Sequence, residues 1–274
     1  MALERWLLEV AKQMPDELDA IVLDLLAKSD NGAITAVVAS VATAFPTHCG
    51  ETLLTLLSTR DHVMMDRHRF ATESRAATEL FGNLLAHRNV ENRLYQSERK
   101  EADNWPHRHQ DLEFAITQLQ CTQFAKRVHK TLDDHRQILS NLPVQDHDDR
   151  LWRLAIHRMD LRDYKVSELK SIHAGPNSEE RVYLELKDPE PDLKEMVDRS
   201  APQFARMQNN MALLMWGLKV FKNEITPSDP DDWREKLASA ALFEKTPATD
   251  PMEHAVTGAP AIIAAVCVRD HWQE

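Results

Sequence analysis

Residues 15–46 read PDELDAIVLDLLAKSDNGAITAVVASVATAFP, and this stretch decides the fold class. In its first half the apolar residues recur at spacings of three and four, which is one face of an α-helix that begins at Pro15. The polar residues 29–32 then favour a turn. The run 33–45 is almost entirely apolar or small, which predicts a second helix that is covered on most sides and ends at Pro46.

Helical patterns flank this stretch on both sides. The preceding one has a single apolar face made of Leu3, Trp6, Leu7, Val10 and Met14. The following one contains Leu53, Leu54, Leu56 and Leu57. Four short helices joined by short turns within 1–60 are typical of helix-pair repeats. We therefore predict an all-α protein built as a HEAT-like helical-repeat scaffold, or α-solenoid.

The sequence predicts three segments. Residues 1–105 form the first helical-repeat segment. Residues 106–225 form a long-helix segment with a small β-hairpin near 164–187, where VSELKSI and RVYLELK alternate around AGPNSEE. Residues 226–274 form the start of a further helical-repeat segment.

Particular helices are expected inside these segments. Residues 108–141 are predicted to form one long helix, and the acidic run DHDD is expected to cap a helix that begins near Asp148. Pro191 is expected in the first turn of another helix. Gly217 lies inside that helix, where glycine costs about 1 kcal/mol relative to alanine, so we predict a close helix crossing there.

The apolar run 258–268 (GAPAIIAAVCV) is similar to 32–42 (GAITAVVASVA). A helix of this composition needs cover on most sides. It either folds back onto this domain or is covered by helices that follow in a longer polypeptide, and we expect the second.

Composition bounds the function. The chain has 274 residues, only 6 glycines and a formal net charge of −11. This charge disfavours nucleic acid and anionic membranes as partners. Three widely separated cysteines indicate a reducing compartment, and Cys121 and Cys267 are expected to be small buried residues. The sequence shows no apolar leader and no run of about 20 apolar residues, so the cytoplasm is the expected location.

The sequence contains no P-loop, nucleophile elbow, H-E-x-x-H or C-x-x-C motif. No cofactor and no metal are therefore expected. A separated histidine and a His-Asp doublet do allow an alternative, a metal-dependent phosphohydrolase of the HD type with His62, His147 and Asp148 as ligands.

One basic run and one further functional possibility remain to be considered. The basic run of Arg60, Arg67, Arg69 and Arg75 is interleaved with acidic residues, which is typical of a solvated face with local ion pairs. A small-ligand-binding helical bundle is a third possibility, which an apolar pocket near Trp216 would support.

Three stretches carry a family resemblance: MALERWLLE (1–9), WRLAIHRMDLRDYK (152–165), and PDLKEMVDRSAPQF with LLMWGLKVF within 191–221. Together they resemble the helical region carboxy-terminal to the ATPase module of very large bacterial STAND-like or AAA-like P-loop proteins, often found in genomic settings that suggest defence. The resemblance implies a sensor or scaffold role and carries no functional residues. We therefore expect a non-catalytic scaffold or sensor segment of a larger ATP-binding protein, which contacts a protein partner or other domains of the same polypeptide.

Overall fold

A computed structural model describes most of the chain, namely residues 2–75, 97–98, 101–102, 104–171, 180–225, 232–244 and 258–271. These residues are mostly α-helical and include one small antiparallel sheet, which confirms the coarse prediction of a helical protein with a β-hairpin. The chain divides into two compact units, 1–189 and 190–274. The boundary between them lies inside the predicted long-helix segment.

The first unit contains eight described α-helices and the hairpin. The helices are α1 (Ala2–Gln13), α2 (Pro15–Lys28), α3 (Gly32–Ala44), α4 (Gly50–Leu57), α5 (Arg60–Arg75), α6 (Leu112–Leu119), α7 (Ala125–Ser140) and α8 (His147–Met159). In α1 to α4, each helix packs against the next, α1 also packs against α3, and α2 also packs against α4. Helix α6 packs against α3, α4, α5, α7 and α8, so it lies at the centre of the unit.

One continuous apolar core joins these helices. Its largest fully buried side chains come from α1, α2, α4, α6, α7 and α8, and they are Leu7, Leu18, Leu53, Leu56, Leu57, Leu112, Ile116, Leu119, Leu132, Trp152, Ile156 and Met159. The predicted face of α1 is correct at Leu7 and Val10, but Trp6 and Met14 are exposed. Glu4 and Ala11 are buried instead, because the buried stripe is rotated from the predicted one.

Several helix starts follow the sequence signals. Pro15 is the first residue of α2, and the Asn31 side chain accepts a hydrogen bond from the Ala33 N–H at the start of α3. The start of α4 is capped by another helix, because Asp19 accepts bonds from the backbone N–H groups of Glu51 and Thr52 at 2.9 Å. Asp19 thus satisfies N–H donors at the start of α4 that the preceding residue, Cys49, does not cap.

The predicted single helix over 108–141 is wrong, because the chain breaks between α6 and α7. At the break, the Thr122 hydroxyl donates to the Leu119 carbonyl and accepts from the Phe124 N–H, so a side chain replaces helical backbone bonds. The Gln120 amide donates to the Met159 carbonyl at 2.6 Å. This hydrogen bond links the end of α6 to the end of α8.

The expected acidic cap of α8 is confirmed. Asp146 is the N-cap residue, and its side chain and that of Asp149 bond reciprocally to each other's backbone N–H. This arrangement is a capping box, which satisfies two of the free donors at the helix start.

The predicted hairpin is also confirmed, with β1 (Tyr164–Ser171) antiparallel to β2 (Glu180–Leu186) and a bulge between Val166 and Glu168. The predicted turn lies largely outside the described residues. The base of the hairpin is held to α8, since His157 Nε2 lies 2.8 Å from the Lys187 carbonyl and the Tyr164 hydroxyl donates to the Arg158 carbonyl at 2.7 Å.

The second unit contains α9 (Pro191–Phe221), α10 (Asp232–Glu244) and α11 (Ala259–His271) among its described residues. Gly217 lies at the crossing of α9 and α11, where an added Cβ would lie 2.7 Å from Ile262 and 2.9 Å from Ile263. This close approach confirms the prediction made for Gly217.

The apolar run 258–268 lies in α11, and we expected this helix to lack cover within the chain. For one face of α11 this expectation is wrong. That helix packs against α9 and α10, and Ala259, Pro260, Ile263 and Val266 are buried. Val268 on the same helix is 55% exposed. Pro191 is the first residue of α9, as predicted, and the large apolar side chains of Phe204 and Phe221 on this helix are exposed.

Candidate functional site

A cleft with a volume of about 470 Å³ opens on the first unit. It lies between α1, the end of α3, residues 105–110 and α6. The apolar and aromatic part of its lining, which we call the apolar wall, consists of Leu8, Ala44, Phe45, Pro46, Trp105 and Pro106. The volume lies in the range of about 300–1,000 Å³ that ligand sites have.

The remaining lining of the cleft is polar and contains one charged residue, Lys12; the others are Thr43, His107, Gln110 and Gln118. Of all the lining residues, only Thr43 and His107 are buried, so the cleft is shallow. The arrangement offers an apolar surface beside hydrogen-bonding groups and one cation.

Two prolines shape the apolar wall. Pro46 follows the end of α3 and cannot continue a helix, which leaves Phe45 at the helix terminus. Pro106 is the first residue of a 3₁₀ turn, Pro106–His109, where its missing N–H costs nothing. Within this turn the Trp105 and His107 rings stack, with centroids 5.7 Å apart and planes inclined by 27°.

A buried carboxylate lies directly behind the cleft. Glu4 of α1 accepts hydrogen bonds from the Ser40 hydroxyl at 2.7 Å and from Arg108 Nη2 at 2.5 Å. His107 Nε2 lies 3.5 Å from the same carboxylate. Burial raises the pKa of Glu4, but the hydrogen bonds from His107 and Ser40 and the charge of Arg108 outweigh it and lower the pKa to about 2. We refer to Glu4, Ser40, His107 and Arg108 as the Glu4 network.

A second contact between α1 and this turn lies nearer the surface. The Arg5 guanidinium is 5.9 Å from the centroid of the Trp105 ring and pairs with Glu101 at 3.0 Å. Together with the Glu4 network, it fixes Glu101 and residues 105–108 on α1, although these residues are about 100 positions from α1 in sequence.

The far side of the turn is held by α5. Asp66 is buried and accepts bonds from Arg69 Nε and from the Leu112 N–H, both at 2.8 Å. Arg69 also donates to the Gln110 carbonyl at 3.2 Å. Residues 105–112 are therefore fixed at both ends, and the cleft is preformed.

The polar groups that face the cleft are available to a ligand. In the part of the chain that the structure describes, the side-chain amides of Gln110 and Gln118 make no hydrogen bond, and Lys12 pairs with Glu9 at 2.7 Å. The Lys12 and Glu9 side chains are 64% and 58% exposed. An exposed pair of this kind contributes about 0.2–1 kcal/mol, so a ligand can displace Glu9 at small cost.

The three alternative metal ligands lie elsewhere in the first unit. His62 is half-buried on α5, while His147 and Asp148 are exposed in the first turn of α8. The guanidinium of Arg60, the first residue of α5, lies 2.8 Å from Asp149 and 4.0 Å from Asp148 of α8. Among the described residues, no group of three or more His, Cys, Asp or Glu side chains is arranged to hold a metal ion.

The basic run is more than a local solvated face. Arg69 pairs locally with Asp66, but Arg67 donates to Glu113 of α6 at 2.9 Å and Arg60 donates to Asp149 of α8. Two of these arginines therefore connect separate helices. The side chain of Arg75 lies outside the described residues.

The cysteines differ from expectation. Cys121 is exposed because it lies in the break after α6 and not in a helix. Cys267 is half-buried. Cys49 is the buried cysteine, and burial together with the nearby Asp19 raises the pKa of its thiol to about 12. A thiol of this pKa is a poor nucleophile. In the second unit, the Trp216 indole donates to Asp232 at 2.9 Å.

No protein family model matches this chain, and no curated protein is significantly similar to it. None of the described helices is both long enough and apolar enough to cross a membrane.

Sequence reasoning missed the Glu4 network and the cleft in front of it. A signal for Glu4 was present, since it lies three and seven residues before Leu7 and Ala11 and so shares their buried face of α1. The partners of Glu4 gave no such signal, because their proximity depends on tertiary contacts between distant segments.

Proposed function

We propose that this chain is a non-catalytic recognition scaffold that binds a segment of a protein partner, or of another domain of the same polypeptide, in the cleft beside Trp105. The observation that carries the proposal is the cleft itself, which is preformed, shallow and lined by aromatic side chains next to unbonded amides. Binding energy at protein interfaces is concentrated in a few residues, among which Trp is enriched.

The electrostatics of the cleft also favour binding over chemistry. The charge of Lys12 is matched by Glu9, and the His107 imidazole faces the buried carboxylate of Glu4. Both groups therefore have structural partners. A shallow cleft cannot enclose a small molecule on most sides, whereas a peptide segment can continue beyond it.

The finer architecture and the wider context are part of the same proposal. A HEAT-like repeat is supported by α1 to α4, where contacts run between successive helices and between alternate ones. Membership of a larger STAND-like or AAA-like ATP-binding protein is supported by the three resembling stretches alone. A P-loop encoded upstream in the same reading frame would support that membership, and an unrelated upstream sequence would contradict it.

The proposal can be tested by selecting a library of displayed random peptides on the full chain and on two variants. In Ala44→Trp the new indole occupies part of the cleft, because Ala44 lines it at the end of α3. Ala36→Trp is the matched control, since Ala36 is an exposed residue of the same helix outside the cleft. We expect peptides to be enriched on the wild type and on Ala36→Trp and to be lost on Ala44→Trp.

Two results would contradict this function. One is a selection that enriches no peptide on the wild-type chain. The other is enrichment of the same peptides on Ala44→Trp, which would locate binding outside the cleft. Circular dichroism of each variant checks that the fold is retained.

The metal-dependent phosphohydrolase is not proposed. Asp148, the carboxylate ligand of that alternative, lies 4.0 Å from the guanidinium of Arg60, which also pairs with the adjacent Asp149 at 2.8 Å. A fixed positive charge beside a carboxylate opposes the binding of a metal ion there.

A further inference from the structure

We propose that the cleft selects an acidic apolar segment, in which a large apolar side chain contacts the wall formed by Phe45 and Trp105 and a neighbouring carboxylate pairs with Lys12. This inference rests on the function proposed above and specifies the chemistry of the partner.

The charge of the cleft points to an anion. Lys12 is the one charged residue that lines it, and its side chain is 64% exposed. Its partner Glu9 lies three residues earlier on the same helix and is also exposed. A carboxylate of a bound segment would replace Glu9 and would be partly shielded from water by the apolar wall. The interaction would then be stronger than the exposed pair that it displaces.

Glu9 is the exposed partner that a bound carboxylate would replace, and the buried charge of Glu4 does not cancel that of Lys12. Glu4 lies behind His107, but it is buried and paired with Arg108 at 2.5 Å. The net charge of −11 belongs to the whole chain. At physiological ionic strength, exposed charges farther apart than about 8 Å are largely screened, so the net charge of the chain does not by itself oppose an anion at Lys12.

The remaining lining groups suit a peptide backbone. Gln110 and Gln118 each offer a side-chain amide that can donate and accept. Within the described part of the chain, neither side-chain amide forms a hydrogen bond. An extended segment presents N–H and C=O groups in both directions along its length. The two amides can therefore hold the backbone of the segment while side chains two residues apart, which point to the same side of an extended chain, reach the apolar wall and Lys12.

The test is the same displayed-peptide selection with a charge reversal at position 12. On the wild type we expect enriched peptides to carry Asp or Glu two residues from a large apolar residue. On Lys12→Glu the acidic preference should disappear. A synthetic copy of the most enriched peptide should bind this variant about tenfold more weakly by fluorescence anisotropy, a loss of about 1.4 kcal/mol.

Lys28→Glu is the matched control. Lys28 is also a lysine in the last turn of a helix, forms an exposed pair with Asp24 at 2.7 Å, and does not line the cleft. The acidic preference should survive this substitution. Neutral or basic enriched peptides, or an acidic preference that survives Lys12→Glu, would overturn the inference.

The outcomes separate this inference from the function on which it rests. Peptides that are lost on Ala44→Trp but carry no acidic residue would retain the recognition function and reject the acidic specificity. A wild-type selection that yields no peptide would reject both.

Discussion

At the scale of single residues, Glu4 combines burial with an ionised carboxylate. A buried carboxylate is costly unless it is paired and hydrogen-bonded. Ser40, His107 and Arg108 all reach Glu4, and they come from α3 and from the turn that forms one wall of the cleft. The residue therefore contributes to stability and also fixes the geometry of the cleft.

The pH dependence of stability should reveal this contribution. The pKa of Glu4 is lowered from 4.5 to about 2 in the folded chain. Its ionised form therefore contributes on the order of 3 kcal/mol above pH 4.5, and this contribution is lost as the pH falls toward 2. In Glu4→Gln we expect a loss of about 3 kcal/mol at pH 6 and of about 1.4 kcal/mol at pH 3, measured by urea unfolding.

Glu9→Gln is the control for that experiment. Glu9 lies on the same helix in an exposed pair with Lys12, so its replacement should change stability by less than about 0.5 kcal/mol at either pH. An equal loss in Glu4→Gln at both pH values would show that the charge of Glu4 is not the stabilising feature.

At the scale of helices and strands, periodic patterns predicted much of the structure. The helices at Pro15 and Pro191, the cap at Asp146 and the hairpin all follow local signals. The break between α6 and α7 was missed because the apolar pattern continues through it. Side-chain bonds of Gln120 to the end of α8 hold that break, and no local pattern reports a partner so distant in sequence.

Close approach of elements leads to a prediction at Gly50, the first residue of α4. A Cβ added there would lie 2.2 to 2.7 Å from ring atoms of Phe124, which precedes α7. We expect Gly50→Ala to destabilise the chain by about 1–3 kcal/mol through overpacking, measured by thermal unfolding.

Gly32→Ala provides the comparison, because Gly32 is likewise the first residue of its helix, α3. An added Cβ at Gly32 meets no atom within 4 Å. This variant should be as stable as the wild type or slightly more stable. Equal stability of the two variants would mean that Phe124 moves away without cost.

At the scale of the whole molecule, the first unit has an apolar core of its own, formed by side chains from α1 to α8. The cleft lies entirely within this unit. The sequence could not predict the cleft, because the walls of the cleft join α1 and α3 to residues more than 60 positions later. Contacts between segments so far apart do not show in the local spacing of apolar residues.

Residues 1–189 should therefore fold without the rest of the chain. We expect this fragment to be helical by circular dichroism and to unfold in one cooperative transition. A shorter fragment, 1–140, should show no cooperative unfolding transition, because it lacks the buried Trp152, Ile156 and Met159 of α8. A fragment 1–189 that shows no cooperative transition would contradict the assignment of a separate core.

The Glu4 network also has a consequence for evolution. An ancestor that lost the carboxylate at position 4 would leave Arg108 facing a buried site without its counter-charge, and the reverse change would be at least as damaging. Single replacements at either position should thus be selected against, while joint replacement by apolar residues should be tolerated. Across diverging descendants of this chain, positions 4 and 108 should covary.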